Sequence, residues 1–266
     1  MGRAVQKWIP VVIAGAVALA ATPSATAATA GQATGTAGRE HAAPAASIPS
    51  AAQRSASAGK VNCAKVKCIA LTFDDGPGPY TGKLLDLLRR HRTKVTFFLM
   101  GERVATSPSV VRRMARDGHE IGDHTYDHPH LPSLPDDDIR DQLTRTQDVI
   151  RKVTGREPGL MRPPYGDTDE RVSGIAAELG LSQIVWNGTS RDWELRDTAA
   201  ITKKVLGLAK RDRVVLMHDI WPQTVKAMPK ILTTLEKKGY HVVPVTSLLR
   251  GRSLAAGEIY PVGGWN

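Results

Sequence analysis

The 266-residue chain is poor in several of the features that define special protein classes. It has only two cysteines, and aromatic residues make up 5% of it. Two cysteines exclude a small fold built on many disulfides. No glycine repeat of the collagen type occurs, and a hydrophobic content of 41% excludes a wholly disordered chain. The composition therefore leaves enough apolar residues for one sizeable core or two modest ones.

Long apolar runs are also missing, since the longest, residues 11–21, is about half of the roughly 20 residues that a membrane-spanning helix needs. Arg3 and Lys7 precede this run, and small residues follow it at 25–27. The pattern predicts a secretory signal peptide over residues 1–27, with a membrane anchor as the weaker alternative. We therefore expect a secreted protein, extracellular or associated with the cell wall, without stable membrane insertion.

Residues 28–60 contain little that could be buried, because alanine, threonine, serine and glycine dominate them. This composition predicts a disordered tether. Cys63 and Cys68 follow it, and two close cysteines in an exported chain are expected to pair as a disulfide that fixes the start of the first strand. We interpret residues 61–250 as one folded domain and residues 251–266 as a C-terminal tail.

Acidic residues are fewer than basic ones, 26 against 36, which gives a net charge of +10. Removal of Arg3 and Lys7 with the signal lowers it by two, to +8. A basic exported protein favours an acidic lipid or wall polymer as its surroundings, and a merely solvated basic face is the alternative. No dense lysine and arginine run occurs, so nucleic acid is not expected as a partner.

The folded part alternates short β-branched runs with segments of helical periodicity. The strand candidates are 66–73, 95–100, 120–122, 160–162, 183–186, 214–217 and 241–245. Six amphipathic helix candidates separate them, several followed by glycine, which commonly ends helices. Strands alternating with helices predict a parallel sheet of the α/β class, either an open sheet or a barrel. In both, chemistry is expected at the carboxyl ends of the strands.

Polar residues gather at five of these ends. They are Asp74 and Asp75 after the first strand, His124 and His128 after the third, Arg162 and Tyr165 after the fourth, Asp192 and Trp193 beyond the fifth, and His218 and Asp219 after the sixth. Scattered surface residues would not follow this rule, so the pattern indicates an active site. His119, His130 and His241 are interpreted as ordinary surface or strand histidines.

Individual residues admit two interpretations each. Asp74 and Asp75 form either a turn or a pair in which one carboxylate holds a metal and the other faces water. His124 and His128, four apart, would point to one centre on a helical turn, as zinc ligands do. Arg162 before two prolines could present its guanidinium to a carboxylate or form a structural ion pair.

The same ambiguity holds for the remaining candidates. His218 could donate a proton with Asp192 as its partner, or it could be a packed core histidine. Trp193 and Trp221 offer faces on which sugar rings stack, or they belong to the core.

Five segments in this order resemble the polysaccharide deacetylases with a NodB homology domain, carbohydrate esterase family 4. The segments are Thr72-Phe73-Asp74-Asp75, His124-Thr125-Tyr126-Asp127-His128, Arg162-Pro163-Pro164-Tyr165-Gly166, Asp192-Trp193 and Leu216-Met217-His218. The resemblance spans about residues 66–249. It implies a distorted (β/α) barrel with about seven parallel strands and hydrolysis of acetyl groups on sugar polymers.

The resemblance also implies roles. Asp75, His124 and His128 would hold a divalent metal, Zn²⁺ in the first place, with Co²⁺ or another ion as alternatives. Asp74 would be the general base, positioned by Arg162, and His218 with Asp192 would protonate the leaving amine. The Tyr165 backbone N–H would stabilise the oxyanion, and Trp193 and Leu216 would line the acetyl slot. Asn187 and Thr189 stand where the family often has acidic residues, so altered bonding is expected there.

The sequence leaves three functions open. The first is a deacetylase for N-acetylglucosamine units in peptidoglycan or chitin-type chains, expected to act as a monomer. The second is an acetylxylan esterase on the same fold, because both reactions pass through a similar oxyanion. The third is a carbohydrate-binding protein without catalysis.

Overall fold

The computed structural model of the protein describes residues 61–263. The predicted signal peptide and tether, residues 1–27 and 28–60, lie outside this range. Among the described residues no helix combines the length and the apolar character that crossing a membrane requires.

Nine parallel strands alternate with helices along the described chain. The strands are β1 (Lys67–Gly76), β2 (Thr96–Leu99), β3 (Glu120–Asp123), β4 (Leu160–Met161), β5 (Ser182–Ile184), β6 (Gly188–Thr189), β7 (Arg213–His218), β8 (Tyr240–Val242) and β9 (Ile259–Tyr260). All seven predicted strands form. The two further strands, β6 and β9, are two residues long, which is too short for a periodic signal.

Nine α-helices connect the strands, and the six predicted ones are among them. They are α1 (Thr81–Arg90), α2 (Gly101–Thr106), α3 (Pro108–Arg116), α4 (Asp136–Thr154), α5 (Glu170–Glu178), α6 (Asp192–Leu195), α7 (Thr198–Gly207), α8 (Pro222–Lys237) and α9 (Val245–Leu248). Two 3₁₀ turns, Leu131–Ser133 and Pro164–Gly166, complete the set. These counts refer to residues 61–263.

The strands form one curled sheet in the order β6-β7-β1-β2-β3-β4-β5-β9, with β8 paired to β1 beyond this path. Every pairing is parallel. Because each strand returns through a crossover, all carboxyl ends lie at the same rim. The sheet curls into a half-barrel, so the distorted (β/α) barrel predicted from the resemblance is confirmed.

The two faces of the sheet pack against different parts of the protein. Residues of odd number in β1, such as Ile69 and Phe73, pack in a large buried cluster with helices α1, α7 and α8. Residues of even number face the inside of the curl, where Ala70 packs with Phe98 and Leu216. Successive side chains of a strand alternate between faces, so this inner register continues upward to the polar residues at the rim.

Both ends of helix α4 carry residues that favour them. Asp136, Asp137 and Asp138 occupy its first turn, and Gly155 at φ 72° ends it in the left-handed conformation. Acidic side chains favour the positive end of the helix dipole, and glycine adopts this φ without a β-carbon penalty. These features stabilise the two ends of α4, which packs against β3, the strand that His124 follows.

The two ends of the domain are attached to the sheet. Cys63 and Cys68 form a disulfide at the start of β1, as predicted. Residues 251–266, predicted to be a tail, contain the strand β9, which pairs with β5. The Gln183 N–H donates to Glu258 and the Val185 N–H to Tyr260, both through carbonyl oxygens. A two-residue strand whose pairing is this distant in sequence gives no local signal.

Candidate active site

Asp74 and Asp75 end β1 and point in different directions. Asp74 keeps the inner register of the strand and is almost fully buried, whereas Asp75 has a φ of 65°, in the left-handed region. Gly76 follows in close contact with the β7 end, because a β-carbon there would lie 2.7 Å from an oxygen of Asp219. The strand thus turns abruptly, and this turn lets two adjacent carboxylates serve one site.

His124 and His128 bring their Nε2 atoms to the same oxygen of Asp75. Each Nε2 lies 3.4 Å from Asp75 Oδ1, and the potential ligand atoms of the three residues are all within 4.8 Å of one another. The predicted helical turn between the histidines is absent. The segment after β3 is a loop in which Thr125 and His128 have positive φ angles of 64° and 69°. The spacing of four works here through loop geometry.

This cluster of three suits a divalent metal. Asp75 Oδ1 is buried and accepts no hydrogen bond within the described part of the chain. His124 Nδ1 lies 2.7 Å from the Arg162 carbonyl oxygen, so it carries the proton and leaves the Nε2 lone pair facing Asp75. One carboxylate and two imidazoles leave a coordination position for water or substrate, as in catalytic zinc sites.

The electrostatics of the cluster agree with metal binding. Burial alone would raise the pKa of Asp75, but neighbouring His124, with His218 and His128, holds it well below the usual range. Burial lowers the pKa of His128 to about 4, with His124 contributing. Asp75 is therefore ionised and His128 neutral at neutral pH, which are the forms that coordinate metals.

Arg162 fixes Asp74 from below. Its guanidinium is fully buried and donates from Nη1 to Asp74 Oδ1 at 2.8 Å and to Thr72 Oγ1 at 2.7 Å. Nε and Nη2 donate to the carbonyl oxygens of Ile184 and Val185. Burial lowers the pKa of Arg162, and Asp74 opposes this effect. Because Arg162 binds Oδ1 of Asp74, the other oxygen, Oδ2, remains free and lies 3.8 Å from His124 Nε2.

His218 and Asp192 form a charged pair on the Oδ2 side of Asp75, with His218 Nε2 3.9 Å from that oxygen. His218 Nδ1 lies 2.8 Å from Asp192 Oδ1, and its backbone N–H donates to Asp192 Oδ2 at 2.7 Å. Thr224 Oγ1 donates to the same Oδ2 at 2.7 Å. Burial lowers the pKa of His218, but the hydrogen bond and charge of Asp192 outweigh it and raise the value to about 9. His218 is therefore cationic at neutral pH.

Tyr165 stands at the rim in an unusual backbone conformation, with φ 61° inside the 3₁₀ turn Pro164–Gly166. In the described chain its backbone N–H donates to no protein acceptor. The exposed ring lies edge-on to His128, with a centroid distance of 4.6 Å. It stacks on His130 with a centroid distance of 3.9 Å and an interplanar angle of 10°. His130 lies at the surface as predicted, but it also contacts Asp167 at 3.2 Å and supports Tyr165, which the sequence did not indicate.

The remaining predicted residues fall into two groups. The Trp193 ring lies edge-on to His218, with a centroid distance of 5.4 Å, and Leu216 is buried on the inner face of β7. Among the described residues, neither Asn187 nor Thr189 forms a hydrogen bond with Asp192. Asn187 Oδ1 accepts from the Val214 N–H, and Thr189 Oγ1 accepts from the Arg191 N–H. Asp192 itself follows β6.

Three residues at or next to the site, Thr72, Thr224 and Asp219, have no role predicted from the sequence. Thr72 could have been found, because it stands two residues before Asp74 and alternation places both on one face. Thr224 gives no such signal, since it reaches Asp192 only through packing of α8. Asp219, adjacent to His218, turns away and is fully buried against Thr81. Burial raises the pKa of Asp219 to about 7, although the Thr81 hydroxyl opposes this.

Comparisons with known proteins agree with this geometry. The sequence profile described as polysaccharide deacetylase matches residues 61–184. A peptidoglycan N-acetylglucosamine deacetylase of Listeria monocytogenes is 40% identical over 195 residues, which is 73% of this chain and 41% of that protein. A protein of the same name from Bacillus cereus is 39% identical over 190 residues, covering 69% of this chain and 89% of that one. The chain thus spans about two fifths of the length of the Listeria relative.

Two solved structures share the fold. A T48 deacetylase with substrate superposes with a TM-score of 0.72 and 36% identity, covering 75% of this chain and 99% of that one. The Xyl-CE4 domain of a multidomain xylanase from the hindgut metagenome of Trinervitermes trinervoides gives 0.68 and 31%, covering 73% and 97%. The curled parallel sheet matches the distorted (β/α) barrels of carbohydrate esterase family 4. The chain belongs to the polysaccharide deacetylase family with a NodB homology domain, carbohydrate esterase family 4.

Proposed function

We propose that this chain is a secreted, metal-dependent deacetylase that hydrolyses N-acetyl groups of N-acetylglucosamine units in peptidoglycan or chitin-type oligosaccharides. The observation that carries the proposal is the placement of Asp74 Oδ2 beside the cluster of Asp75, His124 and His128. Secretion rests on the sequence of residues 1–27, and the named relatives favour a wall glycan as substrate.

Asp75, His124 and His128 would hold the metal, with Zn²⁺ favoured by the donor set and Co²⁺ as an alternative. When bound there, a divalent ion would supply a Lewis acid for the acetyl carbonyl and would lower the pKa of the attacking water. The protein's own contribution is the fixed orientation of the two imidazoles and the open side that faces Asp74.

Asp74 is the proposed general base. Arg162 occupies Oδ1, so Oδ2 is the oxygen that takes the proton from water as the water oxygen bonds to the acetyl carbon. Arg162 Nη1 donates to both Asp74 Oδ1 and Thr72 Oγ1, and this buried contact restricts rotation of the carboxylate. Correct orientation of a base within hydrogen-bonding reach is what makes proton transfer efficient.

Tyr165 and His218 are proposed to act on the two other charges of the reaction. The Tyr165 backbone N–H faces no protein acceptor and would donate to the oxyanion that develops on the carbonyl oxygen. His218, cationic through Asp192, would give its Nε2 proton to the amine nitrogen as the carbon–nitrogen bond breaks and acetate leaves. Trp193 and Leu216 would line the slot for the acetyl methyl group.

Acetate release tests the proposal directly. The full chain, with and without added zinc, is incubated with peptidoglycan, chitooligosaccharides and acetylxylan. We expect zinc-dependent acetate from the first two substrates. Acetate from acetylxylan alone would establish the second candidate, an O-acetyl esterase, which the xylanase-borne neighbour favours. No acetate from any substrate by the zinc-loaded protein would favour a binding protein without catalysis.

A further inference from the structure

Arg196 follows the short helix α6, whose first residue is the His218 partner Asp192. We propose that Arg196 binds a carboxylate on a sugar unit next to the one whose acetyl group is removed, which makes it a specificity residue for anionic glycans. The inference rests on the proposed function, because it assumes that the substrate glycan passes over the rim beside His218.

The backbone around α6 is strained at both ends. Arg191 precedes the helix with φ 50° and ψ 35°, and Arg196 follows it with φ 45° and ψ 23°. Residues with a β-carbon rarely adopt this left-handed conformation, and such strain gathers at functional sites. The Arg196 N–H still donates to the Asp192 carbonyl oxygen at 3.2 Å, so the arginine is tied to the residue that orients His218.

The guanidinium of Arg196 is held in place but is not neutralised. Nε donates to the Trp193 carbonyl oxygen at 2.7 Å, and the carbon Cζ lies 3.3 Å above the centre of the Trp221 ring. Within residues 61–263 no carboxylate comes within 4.0 Å of it. Arg191, at the other end of the same helix, is paired with Glu194. Only one of the two flanking arginines therefore offers a free charge.

A fixed, planar guanidinium is a good receptor for a carboxylate. It presents two parallel N–H donors, and stacking on Trp221 restricts its rotation before the ligand arrives, which lowers the entropic cost of binding. Nε is occupied by Trp193, so the terminal Nη atoms remain for the ligand. A flexible surface arginine would lack this advantage.

The surroundings of Arg196 fit a glycan. Trp193 and Leu195 of the same helix are exposed although they are large and apolar, and the Trp193 ring contacts His218. Aromatic and aliphatic faces pack against the apolar faces of sugar rings. Apolar surface beside a fixed cation matches a sugar that carries a carboxylate, whereas a neutral chitin chain would leave the charge unused.

Two sources could supply this carboxylate. One is the lactyl carboxylate of N-acetylmuramic acid, a sugar that alternates with N-acetylglucosamine in peptidoglycan and whose carboxylate is free where no stem peptide is attached. The other is a uronic acid side group on xylan. The chemistry at Arg196 is the same in both cases, so separate substrates must distinguish them.

The test compares wild type with Arg196→Gln and with the matched control Arg191→Gln, all as full chains loaded with zinc. The substrates are a peptide-free tetrasaccharide of N-acetylglucosamine and N-acetylmuramic acid, the same compound with its carboxylates amidated, chitotetraose, and an acetylated xylan oligomer with and without uronic acid. Acetate release gives kcat and KM, and calorimetry gives Kd for each compound.

We expect Arg196→Gln to raise KM and Kd for the carboxylate tetrasaccharide about tenfold or more, the effect of losing one charged hydrogen-bonded contact. Chitotetraose and the amidated compound should change less than about twofold. Arg191→Gln should change neither class, because its charge is already paired. A larger effect on the uronic acid oligomer than on the muramic acid compound would identify xylan as the source.

Equal losses on charged and neutral substrates would overturn the inference, because Arg196 would then only shape the site. Unchanged Kd for the carboxylate tetrasaccharide would also overturn it. The binding measurement separates this inference from the proposed function. Weaker binding of the carboxylate form to Arg196→Gln supports the inference even if wild type releases no acetate, and that lack of acetate would refute the proposed function alone.

Discussion

Replacing Asp192 by asparagine should move the alkaline limb of the pH profile of kcat/KM toward lower pH. In wild type the hydrogen bond and charge of Asp192 raise the pKa of His218 from 6.5 to about 9 despite burial. The proposed proton donor is therefore protonated through neutral pH and loses its proton, and the activity, as pH rises through about 9. Asparagine keeps the size of the side chain but removes the negative charge.

The expected shift of the alkaline limb follows from the effect of Asp192 on the pKa of His218. Raising the pKa of His218 from 6.5 to about 9 corresponds to roughly 3 kcal/mol of preference for the cation. With the charge gone, burial lowers the pKa, so we expect the alkaline limb to fall by about two pH units. Turnover at pH 8 should then fall by roughly 10²-fold or more, because the donor is mostly neutral and less well oriented.

The assay is acetate release from chitotetraose between pH 5 and 10, with Thr224→Val as the control. Thr224 donates to Asp192 and is buried, so valine removes one contact and leaves the Asp192–His218 pair intact. Its alkaline limb should not move toward lower pH. An unchanged limb in Asp192→Asn, with only kcat reduced, would refute the assignment of this limb to His218.

Three further variants test the disulfide at the start of β1 and the contact between His130 and Tyr165. Replacing Cys63 and Cys68 together by serine should reduce the free energy of unfolding by roughly 2 kcal/mol, because the loop between them is short, and should lower Tm by roughly 4–8 °C with kcat unchanged. A Tm equal to that of wild type would show that the disulfide does not stabilise the fold. His130→Ala should lower kcat about 2- to 10-fold with KM little changed, because Tyr165 loses its stacking partner, and His130→Phe should restore it. Equal loss in both variants would show that stacking is not the cause.

The sequence predicts those strands and helices whose burial produces a periodic pattern of apolar residues. The seven strands and six helices form as expected, because buried parallel strands have continuous apolar runs and helices have amphipathic spacing. The strands β6 and β9 have two residues each and depend on pairing with β7 and β5. No local pattern can indicate a pairing of that kind.

For the site, the sequence predicts which residues lie together but not the loop conformations that bring some of them there. Because chemistry in parallel α/β folds lies at the carboxyl ends of strands, the sequence alone predicts that Asp74, His124 and His218 gather, and they do lie on one rim. The loop conformation of His128, with a positive φ, does not follow from the sequence, since a spacing of four favours a helical turn. The role of His130 is also hidden, because its contact depends on the turn that carries Tyr165.

The division of labour between the two adjacent aspartates is the central claim, and the zinc content and turnover of Asp74→Asn test it most directly. Asp75 Oδ1 faces both His124 and His128, whereas Asp74 Oδ1 accepts a hydrogen bond from Arg162. We predict that Asp74→Asn retains about one zinc per chain while turnover falls by about 10²- to 10⁴-fold, the usual contribution of a general base. His124→Ala, measured beside it, should lose the metal. Loss of zinc from Asp74→Asn to the same extent as from His124→Ala would contradict the account, because Asp74 would then be a ligand and not the base.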